Sequence, residues 1–429
     1  MAFQSWLIPP EELTQDRLQR YTSLFSQLNT QPIRDSVSIV GRPPLSRPSL
    51  LRALIYKNIR CFPSLTELVI ELKENPLIAE RCGFDLWSNL PNVERFSAFL
   101  RDTPNYLFQE IRSNLVFQLV ELEEISGKYL VTDSCPIKAN VKENNPKTVI
   151  KDRFDKTKYP KGDKDSRLGV IVTFPTPSKK KIEYFWGYRN HVISDAISEL
   201  PVAEITKPAN VSEVSLFIPQ CRRLQEIFHF PINAVAADSL LDSATIIEFI
   251  VKELKAKPVI AKNPRASNRT DITLSLKGIP ICIAGFHMLS RGKFKDKKQN
   301  RIRHKFVCPI KGSKKFAKEQ PYCPWWHPKF INGNGCITYL RVDVDESIRR
   351  TIDYGSEEFK KIYNLRTGAE RIFSRLLAIS MQEPTVKGLN ATANICTIAH
   401  ITVLSVALTA VRSDQVDKIR FVKSLIPNL

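Results

Sequence analysis

The chain has 429 residues, enough for about three domains of roughly 150 residues or two with a large insertion. Its 64 Lys and Arg against 44 Asp and Glu give a formal charge of +20, a field that repels basic partners and recruits polyanions, nucleic acid first among them. A composition 43% hydrophobic and 25% charged, with 15 Gly and 28 Pro in no period, excludes a wholly disordered, collagen-like or low-complexity chain.

The opening MAFQSWLIPPEELTQ has neither a basic n-region nor an apolar h-region, so no secretory signal is expected. From Pro9 to about Leu122 apolar residues recur at helical spacing in LLRALIYKNI, SLTELVIELKE and YLFQEIRSNLVFQLVELEE, punctuated by Pro43, Pro44, Pro63, Pro91 and Pro104. This pattern predicts an all-helical N-terminal domain over residues 1–125. After Gly127 the texture becomes strand-like, in KYLVTDS, RLGVIVTF, IEYFWGYRNHVISDA and PVAEITKP. A helix (SEVSLFIPQCRRLQEIF), a strand (INAVAADS), a second helix and the strand KPVIAK follow, which together predict an α/β layer over 126–262. Residues 142–167 carry charges of both signs and read as a solvated, mobile loop. A longer interruption over 263–344 has weak strand character and is expected to be a β-rich, basic, Cys/His-containing insertion. Helical periodicity returns over 345–429. There Ile395 to Val411 is apolar enough to suggest a membrane span, but Thr397, His400, Thr402, Ser405 and Thr409 interrupt it, and a buried core helix is the expectation.

Two carboxylates interrupt otherwise apolar strands. Asp133 is expected at the end of KYLVTDS and Asp238 at the end of INAVAADS, and carboxylates at the C-terminal ends of neighbouring strands can converge where α/β sheets place their sites. Glu370, on a later helix, is a third candidate. Three hard oxygen ligands suit two Mg²⁺ or Mn²⁺ ions about 3.5–4 Å apart, the arrangement used in phosphodiester chemistry. Taken singly, each residue has an ordinary explanation: a strand-end turn, an N-cap for the helix from Ser243, and one acid on a solvated helix face.

Tyr363, Arg366 and Glu370, within YNLRTGAE, reproduce the first three positions of a Tyr-x2-Arg-x3-Glu-x6-Lys pattern. With LVTDSCPIKA around Asp133, GYRNHVISDA leading to ITKPANVSEV, and AVAADSLLDS around Asp238, the chain from about Arg47 onward resembles the DDE transposases of bacterial insertion sequences. The resemblance implies a ribonuclease H-like mixed sheet flanked by helices. It also implies a helical N-terminal domain that binds element ends, with Asp133, Asp238 and Glu370 as metal-holding catalytic residues. Metal-dependent cleavage and strand transfer would act on double-stranded DNA, with a homodimer in the DNA complex and no membrane, in the bacterial cytoplasm. A non-catalytic DNA-binding protein and a nuclease that cuts without joining are the competing functions. The chain departs from the pattern at Leu377, where the family has Lys, so a terminal phosphate contact is missing or falls to Arg371 or Arg375. Spacings of three and four predict that Tyr363, Arg366 and Glu370 project from one face of one helix, as a DNA contact joined to a ligand. Asp195, Asp242, Asp343 and Asp345 stand in reserve as substitutes.

Within the insertion, Cys282, Cys308, Cys323 and Cys336 are candidates for a structural Zn²⁺ site, with His327 close by in sequence. Their spacing is irregular and no Cys-x2-Cys pair occurs, so free thiols remain the other reading. The run from Arg291 to Phe306 interleaves aromatics with Lys295, Arg301 and Arg303, a composition suited to DNA contact.

Overall fold

The N-terminal helices begin where the sequence offers a cap. After α1 (Pro10–Ser26), Ser46 accepts the amide of Ser49 at the start of α2 (Arg47–Ile59), and Ser64 that of Glu67 at α3 (Leu65–Glu74). α4 (Pro76–Cys82) opens on proline and stops at Gly83, whose φ of +95° is a left-handed helix end. Asn92 caps α5 (Val93–Asp102), and Pro104 precedes α6 (Asn105–Glu121). A computed structural model describes residues 10–35, 45–176, 179–263, 273–275, 278–298, 300–343, 345, 348, 352–379 and 381–422 of the chain.

The sheet is built around β1 (Tyr129–Lys138) and the long β3 (Lys179–Asp195), which pair antiparallel with Asp133 opposite Val192. β2 (Arg167–Thr176) pairs with the first half of β3, and β4 (Leu200–Pro208) with the second half. β5 (Ala234–Ala237) lies parallel to β1, with Tyr129 opposite Ala234 and Val131 opposite Ala236. A parallel neighbour requires a crossover, and α7 (Glu213–Phe228) lies between β4 and β5 in the chain.

Side chains alternate across a sheet, so the row Asp133, Val192, Glu204 faces one side while Ser134 and His191 face the other. α13 (Thr367–Ala378) packs on β1, and α14 (Leu389–Arg412) packs on β3 and β4. The α14 side is tied by Thr397 Oγ1 to Glu204 at 2.6 Å and by His400 Nε2 to Asn190 Oδ1 at 2.9 Å. On the Ser134 side, Gln220 of α7 donates to the His191 carbonyl at 3.2 Å.

The expected buried C-terminal helix is α14. Among the described residues it is the one helix long and apolar enough to cross a membrane, and 89% of that stretch is buried within the protein. Its polar residues are partnered where they sit: Thr402 and Thr409 bond back to the carbonyls of Ile398 (2.8 Å) and Ser405 (2.7 Å). α2, α5 and α6 close around this helix, and Asn58 and Asn105 bond to its Thr402 and Asn394. The chain accordingly divides into one unit of residues 1–237 and 361–429 and a second of residues 238–360. The sequence boundary near 125 is not a unit boundary, because the core helix of the N-terminal region comes from the far end of the chain.

The segment over 142–167, expected as a loose loop, is anchored. Asn144 Nδ2 donates to the carbonyls of Ala139 (2.8 Å) and Trp186 (2.7 Å), and Trp186 Nε1 donates to the Arg153 carbonyl at 2.7 Å. Asp163 is buried and accepts the Tyr188 hydroxyl at 2.7 Å and the Gly388 amide at 3.0 Å.

The second unit contains α8 (Ala244–Lys252), β6 (Lys257–Ile260) and an antiparallel sheet of β7 (Leu289–Asp296), β8 (Arg301–Val307) and β9 (Ile337–Arg341). Between β8 and β9 lie the short helices α9 (Pro309–Gly312), α10 (Lys314–Glu319) and α11 (Pro328–Ile331). α12 (Glu357–Asn364) leads from this unit back into the first.

Candidate active site

Asp133 does not end its strand: β1 continues to Lys138 because its other edge stays paired with β3 as far as Gly187. What ends before Asp133 is the parallel ladder with β5, whose last pair is Val131 with Ala236. Asp133 is half-buried and accepts the Ser134 amide at 2.8 Å.

Tyr363, Arg366 and Glu370 do not share one helix. Tyr363 lies near the end of α12, Leu365 and Arg366 form a tight turn, and Glu370 sits in the first turn of α13. The amides of Leu365, Arg366, Gly368 and Ala369 each reach back three residues, which keeps the spacing helical through the break. The constellation therefore survives: Arg366 Nη2 is 3.1 Å from Glu370 Oε1, and its guanidinium carbon lies 5.7 Å from the Tyr363 ring centre. Burial acts to lower the Arg366 pKa, but the fields of Tyr363, Glu370 and Asp133 outweigh it and hold the group above its ordinary value. One fixed cation thus stands in the fields of two of the three predicted carboxylates. The Glu370 side chain is 59% exposed.

Asp238 follows β5 directly, is exposed, and accepts the Leu240 amide at 2.7 Å as the cap of a short 3-10 turn. The helix after it takes its own cap from Ser243, so Asp238 is not that helix's cap.

The arginines expected to replace the missing Lys are engaged elsewhere. Glu199, buried in the β3–β4 turn at φ +57°, accepts Arg371 at 2.6 Å and Arg375 at 3.0 Å, with Arg420 at 3.5 Å. Leu377 is half-buried on the same helix. Glu199 thereby holds the helix that carries Glu370, a role with no local sequence signal, since its partners lie far along the chain.

The reserve aspartates are also committed. Asp195 is fully buried and accepts the amides of Gly127 (2.9 Å) and Ser198 (2.8 Å). Asp242 accepts the Asn263 amide at 2.7 Å, Asp343 pairs with Arg341 at 2.9 Å, and Asp345 with Lys252 at 3.6 Å. On the opposite face of the sheet from Asp133, a cluster went unread in the sequence: Ser134 Oγ bonds Glu213 and Arg189, and His191 Nδ1 lies 4.0 Å from Glu213. Burial, then Arg189 and Lys207, push the His191 pKa down to about 4, so it is a neutral packed residue near pH 7.

The basic run forms the β7–β8 hairpin. Pairing of Phe294 with Arg303, and of Arg303 with Arg341, puts these on one face with Arg301, Lys305 and Tyr339, while Lys295 pairs with Ile302 on the other. The three basic candidates therefore do not share one face of the sheet. Phe294 and Tyr339 meet edge to face at 5.8 Å, both partly exposed, and Arg303 is tied to Asp296 at 3.2 Å.

Among the described residues, no group of three or more His, Cys, Asp or Glu side chains converges as a bound metal requires. The donor chemistry of the three carboxylates nonetheless suits a hard divalent cation, and Arg366 already puts positive charge beside two of them.

A family model described as Transposase domain (DUF772) matches residues 8–102, a stretch that takes in α2 to α5. No curated protein matches the chain. Among solved structures, a chain from the cryo-EM structure of the piggyBac transposase synaptic complex with hairpin DNA is similar at a TM-score of 0.39 and 10% identity, covering 96% of this chain and 80% of that one. Neither fold nor chemistry follows from a likeness at that level.

Proposed function

We propose that this chain is a DDE-type transposase, which binds the ends of a mobile element and catalyses metal-dependent cleavage and strand transfer of DNA. The observation that carries the reading is the meeting of Arg366 with Glu370 and with the field of Asp133, more than 200 residues earlier in the chain, because α13 packs on β1. The sheet supports it as well. An antiparallel β1–β3–β4 meander with β5 parallel to β1 after a helical crossover is the connectivity a ribonuclease H-like core calls for. The match to a transposase domain over residues 8–102 points to the same class.

In this reading Asp133, Asp238 and Glu370 hold two Mg²⁺ or Mn²⁺ ions, which when bound would lower the barrier by activating the attacking oxygen and stabilising the leaving one. The chain's own residues do the rest. Arg366 offsets the repulsion between Asp133 and Glu370 and can take a phosphate bidentately, while Tyr363 stacks or bonds a phosphate oxygen. Glu199 fixes the helix through Arg371 and Arg375, and the +20 charge draws DNA to the surface.

Asp133→Asn, Asp238→Asn and Glu370→Gln should each abolish Mg²⁺-dependent cleavage of end-containing DNA, by about a thousandfold or more, with retention in a gel-shift assay nearly unchanged. Any one of these variants cleaving near the parental rate removes that residue from the site. Cleavage without joining of a pre-cut end identifies a nuclease, and binding without cleavage by the parent identifies a DNA-binding protein.

A further inference from the structure

β2 and β3 run on beyond the strand that anchors them. The ladder between β1 and β3 has its outermost pair at Lys138 with Gly187, yet β3 begins eight residues earlier, at Lys179, and over that stretch it pairs with β2, from Leu168 with Trp186 to Thr176 with Lys179. β2 is the edge strand of the sheet, so the far part of this hairpin is a two-stranded arm. Its base is packed: a Cβ at Gly169 would come within 2.5 Å of the Phe185 ring, and Phe154 meets Tyr184 at 6.1 Å. Beyond the base the cover ends. Val170 is opposite Tyr184 and Val172 opposite Ile182, so alternation sets all four on one face, and each is 38–47% exposed. Lys179, Lys180 and Lys181, at the tip, are exposed as well. The one acid of the arm, Glu183, is on the other face and is tied to Lys138 at 3.2 Å. Around the arm, residues 147–181 hold eleven Lys and Arg against four Asp. Two of those aspartates are engaged within the fold, Asp163 by the Tyr188 hydroxyl and Asp165 by the Leu389 amide at 3.0 Å.

We propose that the β2–β3 arm is a DNA-binding ribbon that lies in the major groove of the duplex beside the cut, with Lys179, Lys180 and Lys181 on phosphates and the apolar face of Val170, Val172, Ile182 and Tyr184 against the base edges. The inference rests on the transposase reading, which supplies the duplex. A two-stranded ribbon is what a groove about 12 Å wide admits, and short apolar side chains suit the thymine methyls displayed there. Two strands standing alone are marginal in water, so an apolar face this far from the sheet gains from a cover. The lysines decide which cover fits: they displace the counterions condensed on DNA phosphates, and they repel an identical arm of a second copy. The reach is set by the strand. From Val192, opposite Asp133, to Lys179 is thirteen residues, which at about 3.3 Å each span at most about 43 Å. At about 3.4 Å per base pair the tip touches DNA up to roughly a dozen pairs from the scissile phosphate.

The test uses the full-length protein and two end-containing duplexes, one ending half a helical turn past the cut and one continuing for three turns. The parent should bind the longer duplex at least about tenfold more tightly. A variant with residues 172–182 replaced by Asn-Gly, a turn that closes the hairpin at the Ile171–Glu183 pair, should bind the two nearly alike. Lys179→Ala, Lys180→Ala and Lys181→Ala together should make the slope of log affinity against log salt shallower by about 2–3 on the longer duplex, at about 0.9 per phosphate. Val172→Ser with Ile182→Ser should cost about tenfold in affinity at an unchanged slope. Thermal unfolding checks that each variant is folded. Methylation of guanine N7, a major-groove atom, is read on the parent alone, and in the stretch the arm covers it should weaken binding. Parental affinity and slope in the lysine variant, or no interference from N7 methylation, overturns the arm while cleavage, and with it the transposase reading, stands. A change from dimer to monomer by light scattering in the arm variants, with DNA affinity unmoved, makes a second copy the occupant and overturns the proposal too. A parent that binds neither duplex removes the transposase reading and the arm's partner with it.

Discussion

In the first unit the 24-residue α14 is buried along nearly its whole length, flanked by helices on one side and the sheet on the other. The Cys/His part of the second unit centres on four buried side chains, two of them cysteines. The contrast teaches how each kind of core is specified. The first buries enough apolar surface to carry polar residues inside it, including Glu204, which accepts Asn190 and Thr397 at 2.6 Å and also Gln109. Burial raises the Glu204 pKa while these donors oppose the rise. The second has no such surplus, and two of its four central side chains are small cysteines, Cys308 and Cys323.

The largest effect on stability is expected at the junction of the sheet and α13. Glu199→Ala leaves Arg375, whose pKa burial pushes down to about 10, without its carboxylate, and should cost about 3–5 kcal/mol in urea unfolding. Strand transfer should fall with it, since Arg371 and Arg375 position Glu370. A loss below about 1 kcal/mol would show that the helix is held by apolar packing alone.

Core truncation separates the two units directly. Leu404→Ala, at a fully buried position of α14, should cost about 2–5 kcal/mol and speed exchange in the first unit while β7 to β9 keep their protection. Ile310→Ala should do the reverse, opening the second unit locally. Equal loss of protection in both units from either change would erase the distinction.

Acid should act first on the first unit. His400, held neutral by burial at a pKa of about 3, and His191, at about 4, both lie below the unfolded value near 6.5. The unfolded chain therefore binds more protons between pH 6.5 and 4, and stability is complete above 6.5 and declines as pH falls through that window. The two histidines contribute a slope of up to about 2.7 kcal/mol per pH unit near pH 5. Glu204 opposes them, because a raised carboxyl pKa favours the folded state at low pH. Urea midpoints between pH 7 and 4.5 should show a flatter decline in His400→Gln than in the parent, and identical slopes would remove His400 from the explanation.

The smallest effects concern DNA. Arg366→Ala should lose a charge-assisted contact of about 1.5–3 kcal/mol, a ten- to hundredfold fall in strand transfer on a pre-cut end at unchanged melting temperature. Tyr363→Phe should lose less, since the ring still stacks. Unchanged strand transfer in Arg366→Ala would return both residues to an ordinary helix surface.

What the sequence determined by itself is local. Caps at Ser46, Ser64 and Asn92 and the three-and-four spacing of apolar residues specify helices through bonds between near neighbours. The spacing of Arg366 and Glu370 likewise survives a break in the helix, because a tight turn preserves it. Only the tertiary structure decided what those elements meet. A hydrophobic pattern marks the face to be buried but not its partner, so the closure of the N-terminal helices on α14 was not legible in either segment. Alternation along Arg291 to Phe306 was readable in principle, but pairing register separates Lys295 from Arg301 and Arg303. Glu199 has its arginines in other parts of the chain, and Cys308, Cys323 and Cys336 reach one small core from separate turns and not from one motif. Long-range pairing depends on the summed packing of many residues, and no short window of sequence contains that sum.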